Sequence, residues 1–193
     1  MEQRSGRAGL SPDRVVRAGA ELADEVGFER LTVAALARRF DVQVASLYSH
    51  VGGLPDLRVR IAALALEELA TRASDAVAGL AGRDAMRALA TVYRDYAVEH
   101  PGRYDAARSP MDPASAAASA GPRLSRMMRA VLRGYDLAEP DETHAVRLLG
   151  SIFHGFISLE RSGAFSHSSP DSAASWDRIL DSLDATLAGW RRP

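Results

Sequence analysis

Apolar positions recur along this chain at three- and four-residue steps, and no convincing stretch alternates with the period of two that marks a half-buried strand. The pattern predicts an all-α fold. A first helix is expected from about Ser11, an N-cap followed by Pro12 at the first helical position, to Gly27 as its stop. Val15, Val16, Ala18, Ala20, Leu22, Ala23 and Val26 supply its buried stripe. In the next stretch, "LTVAALARRFDVQVASLYSHV", Thr32 is placed to cap a short helix to about Phe40, with Val33, Leu36, Ala37 and Phe40 on one face. Asp41 breaks the pattern. A second short helix is expected from about Val44 to Val51, burying Leu47 and Val51 at i, i+4, and Gly52-Gly53 ends it. Two short helices across so brief a turn make a helix-turn-helix candidate.

From Pro55 a long connector helix is expected to about Gly79, with Leu57, Ile61, Leu64, Ala65, Leu69, Ala73 and Val77 inward. Residues 84–100 form the next, carrying Met86, Leu89, Ala90, Tyr93, Tyr96 and Ala97, and a short helical segment follows at about 101–108. "SPMDPASAAASAGP", residues 109–122, is rich in proline and small side chains and reads as a loop with one helical turn at most. Helices at about 123–135, 141–165 and 170–190 complete the chain. The last two have the strongest stripes, through Ala145, Leu148, Leu149, Ile152, Phe153, Phe156 and Ile157, and through Trp176, Ile179, Leu180, Leu183, Leu187 and Trp190, with Ser169-Pro170 as the start signal of the final helix. The expected division is a helix-turn-helix domain over 1–54 and a helical regulatory domain over 55–193.

Composition narrows the function classes. No apolar run approaches the roughly 20 residues that span a bilayer, and residues 1–7 lack the apolar core of a secretory signal, so a cytoplasmic location is expected. Without cysteine there is no disulfide framework, thiolate nucleophile or Cys-based zinc site. All 24 basic side chains are arginine, which fits a G+C-rich coding bias and a bacterial source. The net charge of −1, and nine arginines against eight acids over residues 1–60, mean that any nucleic-acid contact depends on local placement rather than a global field. No Gly-x-Ser-x-Gly, P-loop, dinucleotide fingerprint or paired-His metal motif is present, so neither an enzyme nor a cofactor is expected.

"SLYSHV", residues 46–51, meets the two demands on a recognition helix: one face packs into its own bundle while the other presents hydrogen-bonding groups to a groove and its phosphates. Leu47 and Val51 suit the first demand, and Ser46, Tyr48, Ser49 and His50 the second. Through "LTVAALARRFDVQVASLYSHV", the preceding "ADEVGFERLT" and the long helix that follows, residues 10–70 resemble the tetracycline-repressor (TetR) family of bacterial regulators. The resemblance implies a ligand-responsive regulator, most often a repressor, that binds palindromic operator DNA as a homodimer and is released by a small-molecule effector. It implies that Thr32, Tyr48 and His50 meet the DNA backbone and that Gln43, Val44, Ala45, Ser46 and Ser49 face base edges. Backbone N–H groups at the start of the connector helix would hold a further phosphate. Three departures stand out: Asp41 where glycine is usual in the turn, Leu54 where members commonly place lysine, and Gly52-Gly53 beside it. Arg4, Arg7, Arg14, Arg17, Arg38 or Arg39 would then compensate for the missing charge.

In the second half, "YRDYAVEHPGRYDAA" and "SIFHGFISLERSGAF" resemble the regulatory domain that some members carry, marked by an aromatic-His-Gly motif, here Phe153-His154-Gly155. Tyr93, Tyr96, Arg103, Met127, Phe153, His154 and Phe156 are the effector-site candidates. The aromatic and methionine side chains more often form plain core, Arg103 suits an anchor for an anionic effector or a solvated surface residue, and His154 suits a hydrogen-bonded core or interface histidine. His144 and His154 lack metal-ligand spacing. The family's dimers form through the last two helices, which implies Leu148, Ile152, Trp176, Ile179, Leu183 and Leu187 at the interface. A dimeric sensor without useful DNA affinity is the alternative, favoured by Leu54, Gly52-Gly53 and the weak local charge.

Overall fold

The structure, a computed structural model, describes residues 10–190, so Arg4 and Arg7 lie outside the described residues. Among the described residues the chain forms ten α-helices and no strand. These fall into two compact units. One takes the described residues up to Ala65 together with His100–Ser115, and the other takes Leu66–Glu99 and the described residues from Ala116 on.

The first unit is built on α1 (Pro12–Val26), α2 (Val33–Phe40), α3 (Val44–Leu47) and the start of α4 (Leu54–Val77). Its helix boundaries follow from side-chain chemistry. Ser11 Oγ accepts the Arg14 N–H at 3.3 Å, and Thr32 Oγ1 accepts the Ala35 N–H at 3.1 Å, each satisfying an N–H that has no partner within its helix. Asp41 closes α2 in the left-handed region at φ 53° and ψ 48°, a conformation that Asp tolerates better than most non-glycine residues. The core joins Val15, Ala20 and Ala23 of α1 to Leu36, Leu47, Val51, Leu57 and Ile61, all buried.

This unit extends beyond 1–54. Ile61 and Ala62 of α4 belong to its core, and so does Ala106 of α6 (Pro101–Ala107), a helix far away in sequence that lies against α1. Gly102 makes that approach possible: a Cβ built there would overlap the Ala23 carbonyl and lie 2.6 Å from Asp24 N. Asp24 completes the join. Its Oδ1 accepts the Arg103 N–H at 2.8 Å, while its Oδ2 lies 3.1 Å from Arg103 Nε and 3.4 Å from His100 Nδ1.

The second unit contains the rest of α4 with α5 (Gly82–Glu99), α8 (Gly121–Leu132), α9 (Asp141–Arg161) and α10 (Ser172–Gly189). Met86, Leu89, Leu132, Leu149, Phe153, Leu180 and Leu187 are among its buried side chains. Charged pairs bind α5 to its neighbours: Arg94 donates two bonds to Glu160 of α9, and Arg87 bridges Asp177 and Asp181 of α10. The 109–122 segment contains α7 (Pro113–Ala118), capped by the Asp112 carboxylate, which accepts the Ala114 and Ser115 N–H groups at 3.0 Å.

Three expected boundaries move. α9 stops at Arg161 rather than about 165 because the N–H groups of Gly163 and Ala164 turn back onto the carbonyls of Glu160 and Leu159, the paired bonds that end many helices. α10 is capped by Asp171, whose Oδ1 accepts the Ala174 N–H at 2.8 Å, and not by Ser169. The second helix of the helix-turn-helix keeps regular α geometry only over Val44–Leu47. Beyond it the His50 N–H reaches the Leu47 carbonyl in a tighter three-residue step, though the Val51 N–H still bonds the same carbonyl at 3.0 Å.

Candidate nucleic-acid interface

α3 divides sharply by exposure. Leu47 and Val51 are 0% and 2% exposed, whereas Tyr48 is 57% exposed. Gln43, Ala45, Ser46 and Ser49 are also exposed, with Val44 and His50 half-buried. The sequence-predicted contact residues of this helix therefore come together on one short element at the surface. Gln43 occupies the N-cap position in an extended conformation, φ −69° and ψ 146°. Ser49 spends its proton locally, donating to the Ser46 carbonyl at 2.8 Å. Thr32 is exposed at the start of α2, its Oγ1 already accepting the Ala35 N–H.

The start of α4 differs from the expected phosphate cradle. Pro55 has no N–H, and the Asp56 carboxylate accepts the Gly52 N–H at 2.7 Å while its other oxygen accepts Arg60 Nε–H at 2.9 Å. Burial alone raises the Asp56 pKa, but the Gly52 and Arg60 bonds outweigh it and hold the group below the ordinary aspartate value. The Gly52 N–H just ahead of the helix is thus met by the chain's own anion. An acidic residue four positions after Gly52, in the first turn of α4, was the sequence signal for this contact. Gly53 sits at φ +101°, so this glycine meets a backbone requirement here rather than merely loosening the turn.

The compensating arginines are unequal. Arg39 donates to Glu25 at 2.7 Å and Glu21 at 3.1 Å, so its charge is met within the unit. Arg14 lies over the Phe40 ring at 5.5 Å, and Arg17 and Arg38 are exposed.

Among the effector candidates, the second unit brings four into one aromatic cluster. Tyr93 contacts Phe153 at 5.9 Å and His154 at 5.6 Å between ring centroids, and Trp176 contacts Phe153 at 5.8 Å and Phe156 at 4.8 Å. Burial pushes the Tyr93 hydroxyl up to about 12. Tyr96 is buried with its hydroxyl donating to Glu68 at 2.9 Å, and Met127 is half-buried on α8. Arg103 does not join them, because it belongs to the first unit and pairs with Asp24. The expected interface side chains divide as well. Trp176, Leu183 and Leu187 are buried within the chain's own core, whereas Leu148, Ile152 and Ile179 stay half-buried. Trp176, whose spacing suits core or interface alike, turns inward with Leu183 and Leu187, because an inward stripe and a partner-facing stripe have the same spacing. Its Nε1–H is buried without a hydrogen-bond partner.

A capped three-helix module whose short third helix exposes polar side chains over two buried apolar anchors defines a helix-turn-helix protein. Residues 15–52 match the tetR family of bacterial regulatory proteins, and residues 86–183 match the tetracyclin repressor-like C-terminal domain. The HTH-type transcriptional regulator YobS of Bacillus subtilis is 33% identical over 183 residues, covering 95% of this chain and 92% of its own. The HTH-type regulator Rv0681 of Mycobacterium tuberculosis is 36% identical over 160 residues, covering 81% and 72%. The solved structure of SCO7222, a TetR regulator from Streptomyces coelicolor, shares the fold at a TM-score of 0.73 and 21% identity, covering 95% of this chain and all of that one. The chain belongs to the TetR family of transcriptional regulators. Among the described residues no helix is long and apolar enough to cross a membrane.

Proposed function

We propose that this protein is a ligand-responsive repressor of the bacterial cytoplasm that binds a palindromic operator as a homodimer and leaves it when a small molecule binds. The observation that carries the reading is the division of residues 43–51, around α3, into buried Leu47 and Val51 and exposed Gln43, Ala45, Ser46, Tyr48 and Ser49. Tyr48, His50 and Thr32 contact the backbone, and the remaining exposed groups, with Val44, face the bases. The effector site is the aromatic cluster of Tyr93, Phe153, His154 and Phe156, flanked by Tyr96 and Met127. The buried Trp176 N–H supports this assignment, since a donor without a partner costs free energy that a ligand acceptor recovers. Dimer contacts run through Leu148, Ile152 and Ile179. Effector binding lowers the population of the DNA-competent state.

The test is enrichment of a random duplex library by the purified protein, beside a Tyr48→Ala/His50→Ala variant. Recovery of a palindrome with half-site centres near a multiple of about 34 Å, lost in the variant and weakened by salt, is expected. The Asp56 contact at the start of α4 favours a second reading, a dimeric sensor with little DNA affinity. Absence of any enriched duplex at low salt would select it.

A further inference from the structure

We infer that the operator half-site is read at A·T pairs, with Gln43 on an adenine, Ala45 and Val44 on thymine methyls, and Ser49 accepting from a base amino group. This rests on the operator-binding reading above. No arginine or lysine lies between Arg39 and Arg58, and the formal charges in that interval are Asp41 and Asp56. The commonest guanine contact, a bidentate Arg or Lys on O6 and N7, is therefore missing from the turn, from α3 and from the start of α4. Asp56 is already engaged with Gly52 and Arg60.

What α3 does expose has a definite preference. Gln43, at the N-cap just ahead of α3, carries an amide whose donor and acceptor fit adenine N7 and N6 together. The exposed Ala45 and half-buried Val44 offer methyl groups, and thymine C5 is the methyl-bearing position in the major groove. Ser49 is compatible with these pairs without separating them from G·C. Because its proton goes to the Ser46 carbonyl at 2.8 Å, its oxygen faces outward as an acceptor. An acceptor selects adenine N6 or cytosine N4 and gains nothing from guanine O6 or thymine O4.

The experiment replaces single atoms in the duplex recovered by enrichment. Each adenine is exchanged for 7-deazaadenine, which lacks the N7 acceptor, and each thymine for uracil, which lacks the methyl. At one adenine per half-site the deaza exchange weakens wild-type binding by about tenfold, and Gln43→Ala protein is indifferent to it within about twofold. At an adjacent thymine, uracil weakens binding by about fourfold. A half-site insensitive to both exchanges, or one whose sensitivity to the adenine change persists in Gln43→Ala, overturns the inference and leaves operator binding standing. Failure to enrich any duplex at low salt overturns operator binding itself, and this inference with it.

Discussion

Replacing Gly102 by alanine places a methyl group where the structure already has backbone. The new Cβ would overlap the Ala23 carbonyl and lie 2.6 Å from Asp24 N, and neither atom belongs to a flexible side chain that can swing aside. The relief available is to lift α6 off α1, which exposes Tyr104 and Ala106, now fully buried, and stretches the 2.8 Å bond from the Arg103 N–H to Asp24. Overpacking of a filled contact costs about 1–3 kcal/mol, and loss of a hydrogen bond to a charged group adds about 1.5–3. A total near 3 kcal/mol corresponds to a fall in Tm of about 6–12 °C for a chain of this size. Thermal unfolding followed by circular dichroism at fixed protein concentration measures it. Gly150→Ala is the matched control: it sits within α9 with nothing within 4 Å of the added Cβ, and is expected to raise stability by about 0.5–1 kcal/mol. Both tryptophans lie in the second unit, at 176 and 190, so their fluorescence should shift less than the dichroism. A Gly102→Ala midpoint within about 1 °C of the parent would refute the close-approach argument.

Leu47→Ala should cost about 2–5 kcal/mol in urea unfolding, whereas Tyr48→Ala should cost under about 1 kcal/mol while abolishing operator binding; equal stability losses would contradict the division of α3. Asp41→Gly should stabilise, because φ 53° suits glycine, and Asp41→Ala should destabilise by about 1 kcal/mol; thermal midpoints ordered the other way would count against the left-handed cap. Arg94 holds the Glu160 carboxylate below its ordinary range against the opposing effect of burial. Because the folded value is the depressed one, the pair's stabilisation is present above the unfolded value near pH 4.3 and disappears as pH falls through the folded value. The stability difference between the parent and Glu160→Gln should therefore be full at pH 6 and shrink below about pH 4 in urea titrations, and a difference independent of pH would sink the assignment.

Local chemistry was legible in the sequence where it acts over a few residues. Ser11 with Pro12, Thr32, Asp41 and Gly27 marked the ends of α1 and α2 because capping groups act on N–H and carbonyl partners within a turn or two. The apolar spacing of Leu47 and Val51 likewise foretold their burial. What escaped depends on partners remote in sequence or on equal periodicities. Nothing near Gly102 in sequence shows that Ala23 lies against it. Arg103 looked like an anchor for an anion until Asp24, 79 residues earlier, supplied one. Trp176, Leu183 and Leu187 share a helical stripe with any partner-facing set, and only the filled interior shows which way they turn.

The chain returns at His100–Ser115 to finish the unit it began at the amino terminus. A DNA-reading head cut at residue 54 would lack Ile61, Ala62 and Ala106 from its core, along with the partner of Asp24. Engineers who graft such heads onto foreign sensors by joining sequences end to end would transplant a module with a piece missing. A working chimera must carry the α6 segment as a second, internal splice. Recombination that exchanges only the segment up to residue 54 is disfavoured for the same reason, so the two stretches of the first unit are expected to be inherited together.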